Sequence, residues 1–352
     1  MAFGTLSTLD TLASVRQSVV EFGEDRAWDS INAALAAHNA QVDEMLGTLV
    51  ERTTDVRRAY GSADAKTMQE LDQWGQGDAQ KITAGVSVDF PLRRYGDTVQ
   101  WTRQWMMSNT VAQLAAEVAA IMDADRLNFA RQVKRAIYGP TNTTFVDKLG
   151  NPANISLNIK AFVNADSAAI PVGPNGETFV GSSHTHYLAT ASLIAANLAA
   201  LILTVQEHYA SGTPVVYISS TDEAAVRALT GFVPAVDPRL IQASTVTRPS
   251  VGLDLANLYD RMIGYFGAAE IWVKPWAIAS YFFAYVQGAP VPLVMRVPTF
   301  GGLENLSLMA EDERYPLRAR TYERQFGVSV WNRVNGAVLY TASGTYAAPT
   351  IA

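Results

Sequence analysis

His184 and His186 stand two residues apart, a spacing that puts two imidazoles on one face of an extended strand and makes the start of a metal site. No third ligand stands near them in sequence, and the run from Ser182 leads towards a helix. Local capping and solvation is therefore the stronger reading, and no metal is expected. A second candidate is the acidic run Glu311, Asp312 and Glu313 beside Arg314, Arg318 and Arg320. Paired carboxylates can do acid–base work, but strand charges of both signs suit oriented contacts between subunits, and contact with a partner is the reading favoured. The patterns that announce catalysis are missing: there is no G-x-x-x-x-G-K-[ST], G-x-S-x-G, H-E-x-x-H or G-x-G-x-x-G. The chain has no cysteine, which excludes disulfides, thiolate metal sites and thiol catalysis together. Neither an enzyme nor a cofactor is expected.

Composition narrows the class further. At 352 residues and 49% hydrophobic, the chain is long enough for two lobes with a sizeable core and is neither disordered nor fibrous. Its net charge of −6 is uneven, because residues 1–80 hold 13 acidic against 6 basic side chains. Such a balance is no nucleic-acid-binding footprint. The opening residues, MAFGTLSTLD, lack the basic and apolar regions of a secretory signal, so an intracellular origin is expected and the sequons at Asn142, Asn154 and Asn305 carry no meaning. Leu188 to Val205 is almost long enough to span a membrane, but half of it is Ala or hydroxyl residues, and it reads as a buried helix.

The elements that must position these residues are organised around Ser108 to Gly139. This stretch has no Pro and no internal Gly, so propensity favours one helix of some eight turns, capped by Ser108 or Asn109 and ended by Gly139-Pro140. Val111, Ala115, Val118, Met122, Phe129, Val133 and Ile137 form one apolar stripe, and Leu114, Ile121 and Leu127 form another, so the helix should be gripped on more than one side. Upstream, a short helix is expected over Thr8 to Phe22 and a longer one from Asp25 to Arg52. In the longer one, Trp28, Ile31, Leu35, His38, Val42, Met45 and Leu49 make a narrow seam of the kind that docks on a partner helix or groove. Between arm and long helix, Lys81 to Met107 reads as two strands around a turn at Tyr95-Gly96-Asp97. An isolated hairpin carrying Phe90, Tyr95, Trp101 and Trp105 is marginal in water, so it should lie against something.

Downstream, Pro140 to Tyr187 reads as a surface insertion with some β-structure, followed by a helix over Ser183 to Tyr209. Alternating strands and helices then give an α/β lobe over about 212–292. The tail from Val294 to Thr341 reads mostly as strands. The chain leaves a first lobe, builds a second and returns.

This order of parts resembles the major capsid protein of tailed bacteriophages, with the Hong Kong 97-like fold. The closing stretch RTYERQFGVSVWNRVNGAVLYTASG is similar to the family's last strands, with an Asn-Gly turn before the final one. The resemblance implies an α+β fold of five parts: an N-terminal helical arm (1–80), an extended β-hairpin loop (81–107), a peripheral domain with a spine helix and insertion (108–211), an inserted α/β axial domain (212–292) and the rest of the peripheral domain (293–352). It implies a shell protein that assembles with itself into pentamers and hexamers of an icosahedral virion, in host cytoplasm, around double-stranded DNA bound without sequence specificity. A portal, a decoration protein and, since the arm looks too structured to be discarded, a separate scaffolding protein are the further partners. Subunit contacts are expected at Trp28, Leu35, Phe90, Arg93, Arg94, Tyr95, Trp101, Trp105, Arg318 and Arg320, with Trp101 and Trp105 covered only on assembly. Some members of the family weld the shell through a loop Lys. Here Lys81 stands alone at the base of that loop, so no covalent mesh is expected. The alternatives are an encapsulin-like shell around cargo enzymes, and an α/β enzyme with an unrecognised site.

Overall fold

The computed structural model describes residues 12–47, 49–59, 87–149, 154–235, 260–299 and 302–351, and parts of 66–85. The expected helix over Thr8 to Phe22 lies partly outside these residues, and what is described of it is α1, Val19–Phe22, opened by a Ser18–Glu21 capping box. Helix α2, Glu24–Leu46, follows. It ends before the expected Arg52, because Val50–Thr53 is strand β1, paired in parallel with a strand near the C-terminus.

The long helix forms as α4, Val111–Tyr138, after a short α3 at Arg103–Ser108. Its cap is Thr110, one residue beyond the two expected. Gln113 N donates to Thr110 Oγ1 while Thr110 N donates to the Gln113 side chain at 2.9 Å, so two orphan donors are satisfied reciprocally. Two cores grip this helix. Its N-terminal half, through Val111, Leu114, Val118 and Met122, packs with Trp28, Ile31 and Leu35 of the arm. Its C-terminal half, through Phe129, Val133, Ile137 and Tyr138, packs in a central core with both large sheets. Leu127, expected on the second stripe, is exposed.

Among the described residues of 81–107 the expected hairpin does not form. Strand β3, Ser87–Asp89, pairs instead with β2, Arg57–Ala59, and β4, Arg93–Thr102, runs straight through Tyr95-Gly96-Asp97. Gly96 is needed there for proximity and not for a turn: a Cβ on it would come within 2.8 Å of the Tyr322 carbonyl of the neighbouring strand. That neighbour is β15, Leu317–Val330, which also pairs with β14, Ser307–Arg314, on its other side. The resulting three-stranded ribbon ends at Tyr315-Pro316. Beyond the ribbon β15 continues into a sheet with β13, Leu293–Arg296, and β1.

The second large sheet has seven strands. In spatial order they are β7 (Tyr187–Ala189), β16 (Ala337–Tyr340), β12 (Tyr281–Gln287), β8 (Thr213–Ile218), β11 (Ala269–Val273), β10 (Arg261–Phe266) and β9 (Phe232–Pro234). Five of these lie within the expected 212–292 lobe, but β7 and β16 come from either side of it. Strand β12 is apolar on both faces. Tyr281, Phe283 and Tyr285 enter the central core, whereas Phe282, Ala284 and Val286 meet α5, Ala195–Gln206. A helix was expected from Ser183, yet α5 starts twelve residues later, because Ser183 lies in a turn and the residues after it lead into β7. The insertion supplies the hairpin of β5, Thr143–Asp147, and β6, Ile155–Ile159. A five-residue helix α6, Glu223–Arg227, completes the described elements. None of the described helices is long and apolar enough to cross a membrane.

Candidate functional site

The expectation of no third ligand beside the two histidines is overturned by the fold. The chain before β7 is extended, held by His186 N donating to Val163 O (2.8 Å) and by Val338 N donating to His186 O (2.8 Å). That geometry puts His184 and His186 on the same side. Helix α5 then brings its own C-terminus back to the same place: Glu207 is its cap residue and His208 follows. His184, His186, Glu207 and His208 each offer one ligand atom, and these atoms all lie within 4.8 Å of one another. The three Nε2 atoms form a small triangle, with sides of 3.2 Å (184 to 186), 3.3 Å (184 to 208) and 3.1 Å (186 to 208). Glu207 Oε1 stands 3.3 Å from His184 Nε2 and 3.8 Å from His208 Nε2.

The surroundings set the chemistry of this cluster. His186 is fully buried, and its Nδ1 lies 2.8 Å from the Gly336 carbonyl. A carbonyl only accepts, so Nδ1 carries the proton and Nε2 presents a lone pair. Gly336 itself is fixed by contact, since a Cβ there would lie 2.3 Å from the Phe162 ring. The Phe179 ring covers His208 and His184 at centroid distances of 4.2 and 4.9 Å. Burial and then the neighbouring His208 push the His186 imidazole far below its ordinary pKa; burial and His184 lower His208 to about 3, and burial lowers His184. Burial raises Glu207. Burial thus favours the neutral form of all three imidazoles, which keeps one ring-nitrogen lone pair on each. The sequence signal that could have found the set is a Glu-His pair just past the end of an apolar helix, but its distance from His186 was a matter of tertiary structure.

The residues expected at subunit contacts fall into three groups. Trp28, Leu35, Phe90 and Trp101 are buried by their own chain. Trp28 and Trp101 pack with ring centroids 5.2 Å apart, so Trp101 is covered before any assembly, contrary to expectation. The seam of the arm does find a groove, but it is that of α4 and the ribbon of the same chain. Tyr95 and Trp105 are partly buried, Tyr95 against Phe326 at 5.0 Å. Arg93, Arg94, Arg318 and Arg320 keep some exposure. Arg94 Nε donates to Glu323 at 2.7 Å, and Arg93 lies over the Phe145 ring at 4.3 Å. With Arg131 and Arg135, these two arginines line a groove of about 560 Å³ between β4 and α4.

Two carboxylates of the charged run of β14, Glu311 and Glu313, are paired along the ribbon. Registers Glu311↔Arg320 and Glu313↔Arg318 place opposite charges across from one another, with Arg318 Nε donating to Glu313 at 2.8 Å and Arg320 Nη2 to Glu311 at 2.9 Å. Arg318 also reaches Glu24 of the arm at 2.7 Å, and the Arg320 guanidinium stacks 3.7 Å from the Trp28 ring centroid. These arginines clamp arm to ribbon. The ribbon's tip is left bare, with Tyr315 86% and Leu317 52% exposed.

No protein-family model matches this sequence, and no curated protein does. Solved structures do match. A chain of Mycobacterium phage Patience superposes with a TM-score of 0.69 at 19% identity, covering 99% of this chain and 96% of that one. The capsid of a native GTA particle gives a TM-score of 0.47 at 11% identity, over 87% of this chain and 91% of that one. The holo-SrpI encapsulin complex from Synechococcus elongatus gives 0.42 at 11%, over 85% and 88%. The first of these likenesses shows the fold: this chain is built, nearly end to end, as a chain of a phage structure is built.

Proposed function

We propose that this chain is the major capsid protein of a tailed bacteriophage, a structural subunit that assembles with copies of itself into pentamers and hexamers of an icosahedral shell enclosing double-stranded DNA. The observation that carries this reading is the order of parts, which agrees with the family resemblance and aligns over nearly the whole of a phage chain. In this reading α4 is the spine of the peripheral domain, the seven-stranded sheet is the axial domain, and the ribbon of β4, β15 and β14 takes the role of the extended loop. A shell of many copies gains stability from many modest interfaces, each near ~1,600 Å², none tight alone. The bare tip at Tyr315 and Leu317 and the arginine groove at Arg93 and Arg94 are the surfaces offered to neighbouring copies. A scaffolding protein, a portal and a decoration protein are the partners such a shell would use.

Particle formation tests the reading. Co-expression with the neighbouring genes should give closed shells in the electron microscope, and shells from infected cells should contain DNA. A subunit that stays monomeric or forms only open filaments under every condition would refute it, and shells filled with an enzyme cargo would move the chain to the nanocompartment class.

A further inference from the structure

We infer that His184, His186, His208 and Glu207 form a structural site for one divalent transition ion of tetrahedral preference, Zn²⁺ above all. The geometry argues first. A tetrahedral zinc bonded to nitrogen at ~2.0–2.1 Å sets its ligand atoms about 3.3 Å apart. The measured separations among the three imidazole nitrogens are 3.1, 3.2 and 3.3 Å, and that from Glu207 to His184 is 3.3 Å. Only the 3.8 Å between Glu207 and His208 is wide, and Glu207 is a partly exposed side chain that can close it.

The cluster also does not satisfy itself. Each neutral imidazole Nε2 is either a donor or an acceptor, and here three of them touch pairwise. Two states cannot be shared among three mutual contacts without at least one like pair, donor facing donor or lone pair facing lone pair. Protonating one ring does not relieve the conflict, because it only fixes that Nε2 as a donor and leaves three atoms sharing two states. A cation at the centre removes the conflict, because all three atoms then present lone pairs to it. His186 is already arranged for that role: its Nδ1–H is held by the Gly336 carbonyl, the outer-shell contact that orients metal-binding histidines. His208 Nδ1 is buried without a partner, so nothing in the chain prevents its Nε2 from presenting a lone pair.

The ion would join three pieces of backbone: the strap that leads into β7, the C-terminal end of α5, and, through His186 and Gly336, the turn before β16. It would act as a staple within one subunit, at the edge of the seven-stranded sheet, independent of how subunits meet. A failure of the shell reading therefore leaves this inference standing, and the reverse also holds.

The test uses untagged full-length protein. Elemental analysis after purification should find about one zinc per chain. After stripping with a chelator, re-addition of Zn²⁺ should raise the melting temperature by several degrees, since an ion that binds only the native state stabilises it. Co²⁺ in its place should give the intense visible bands of a tetrahedral complex, and His184→Asn and His208→Gln should each lose them and the thermal response. Wild-type protein that holds no metal above the buffer blank and melts identically in chelator and in Zn²⁺ overturns the site. So does full metal binding by both folded variants. Should the variants fail to fold, the wild-type metal content and melting comparison decide alone.

Discussion

At the scale of single residues, the most consequential buried charge is Asp125, in the middle of α4. It accepts from Arg324 Nη1 at 3.0 Å and meets His38 Nε2 at 3.0 Å, tying the arm and β15 to the long helix. Arg324 is wholly buried, and its Nε is held by the Glu304 carbonyl. The sequence showed Asp125 as an interruption of an apolar stripe and could not say what it met, because its partners stand 87 and 199 residues away. Removing the carboxylate strands a buried guanidinium, which costs ~3–5 kcal/mol. Asp125→Ala should lower the free energy of unfolding of the unassembled subunit by that amount in a denaturant titration. A loss below 1 kcal/mol would mean that water relaxes into the site, contrary to the packing described. The Asp166 carboxyl offers a contrast. Burial pushes it up, but Lys160, Arg333 and Asn142 outweigh that and hold it below the usual carboxylate range. Its partnership is ionised, so its contribution is present above the unfolded-state pKa and is lost as pH falls through the lower folded one. Asp166→Asn should therefore narrow the gap in stability between neutral and acid pH, measured as melting temperature against pH.

At the scale of elements, Trp101 now belongs to a joint within one subunit, sandwiched by arm and ribbon. Truncating a buried aromatic typically costs ~3–5 kcal/mol, so Trp101→Ala should lower the melting temperature of the isolated subunit, and shells should be lost as a consequence. Unchanged subunit melting with loss of shells would restore the expectation that only assembly covers it. The ribbon tip should behave in the opposite way. Tyr315→Ser with Leu317→Ser removes exposed apolar surface, so subunit unfolding should stay within ~0.5 kcal/mol while the yield of shells falls. Much of the fold was legible from sequence: the long helix, the returning strands and the α/β lobe all carried strong local signals. The hairpin over 81–107 was not, because alternation in Val99 and Trp101 reports a strand but not its partner, and a Gly that reads as a turn was there to let β15 approach. Partners separated by more than two hundred residues leave no trace in local pattern. The same holds for the histidine site, where an i, i+2 pair was visible and its third and fourth ligands arrived only through the course of α5.

At the scale of the whole molecule, the chain combines a helix gripped by two cores, two large sheets and a ribbon with an exposed apolar tip. The ribbon strands contain no lysine and the chain has no cysteine, so the proposed shell is predicted to hold together by noncovalent contacts. Assembled particles boiled in detergent should run as one monomer band, and a ladder of covalent oligomers would contradict that. In the proposed function these subunits close into an icosahedral shell with α4 as its spine and the seven-stranded sheet at the centres of its rings. Electron cryomicroscopy of particles assembled from this chain with its genomic neighbours tests it most directly. The expected particles have pentamers and hexamers in which the sheet around β8 and β12 faces the ring axis and the ribbon tip with Tyr315 lies on a neighbouring copy. Closed particles with the sheet at the rim and the ribbon tip free in solvent, or no closed particles at all, would contradict it.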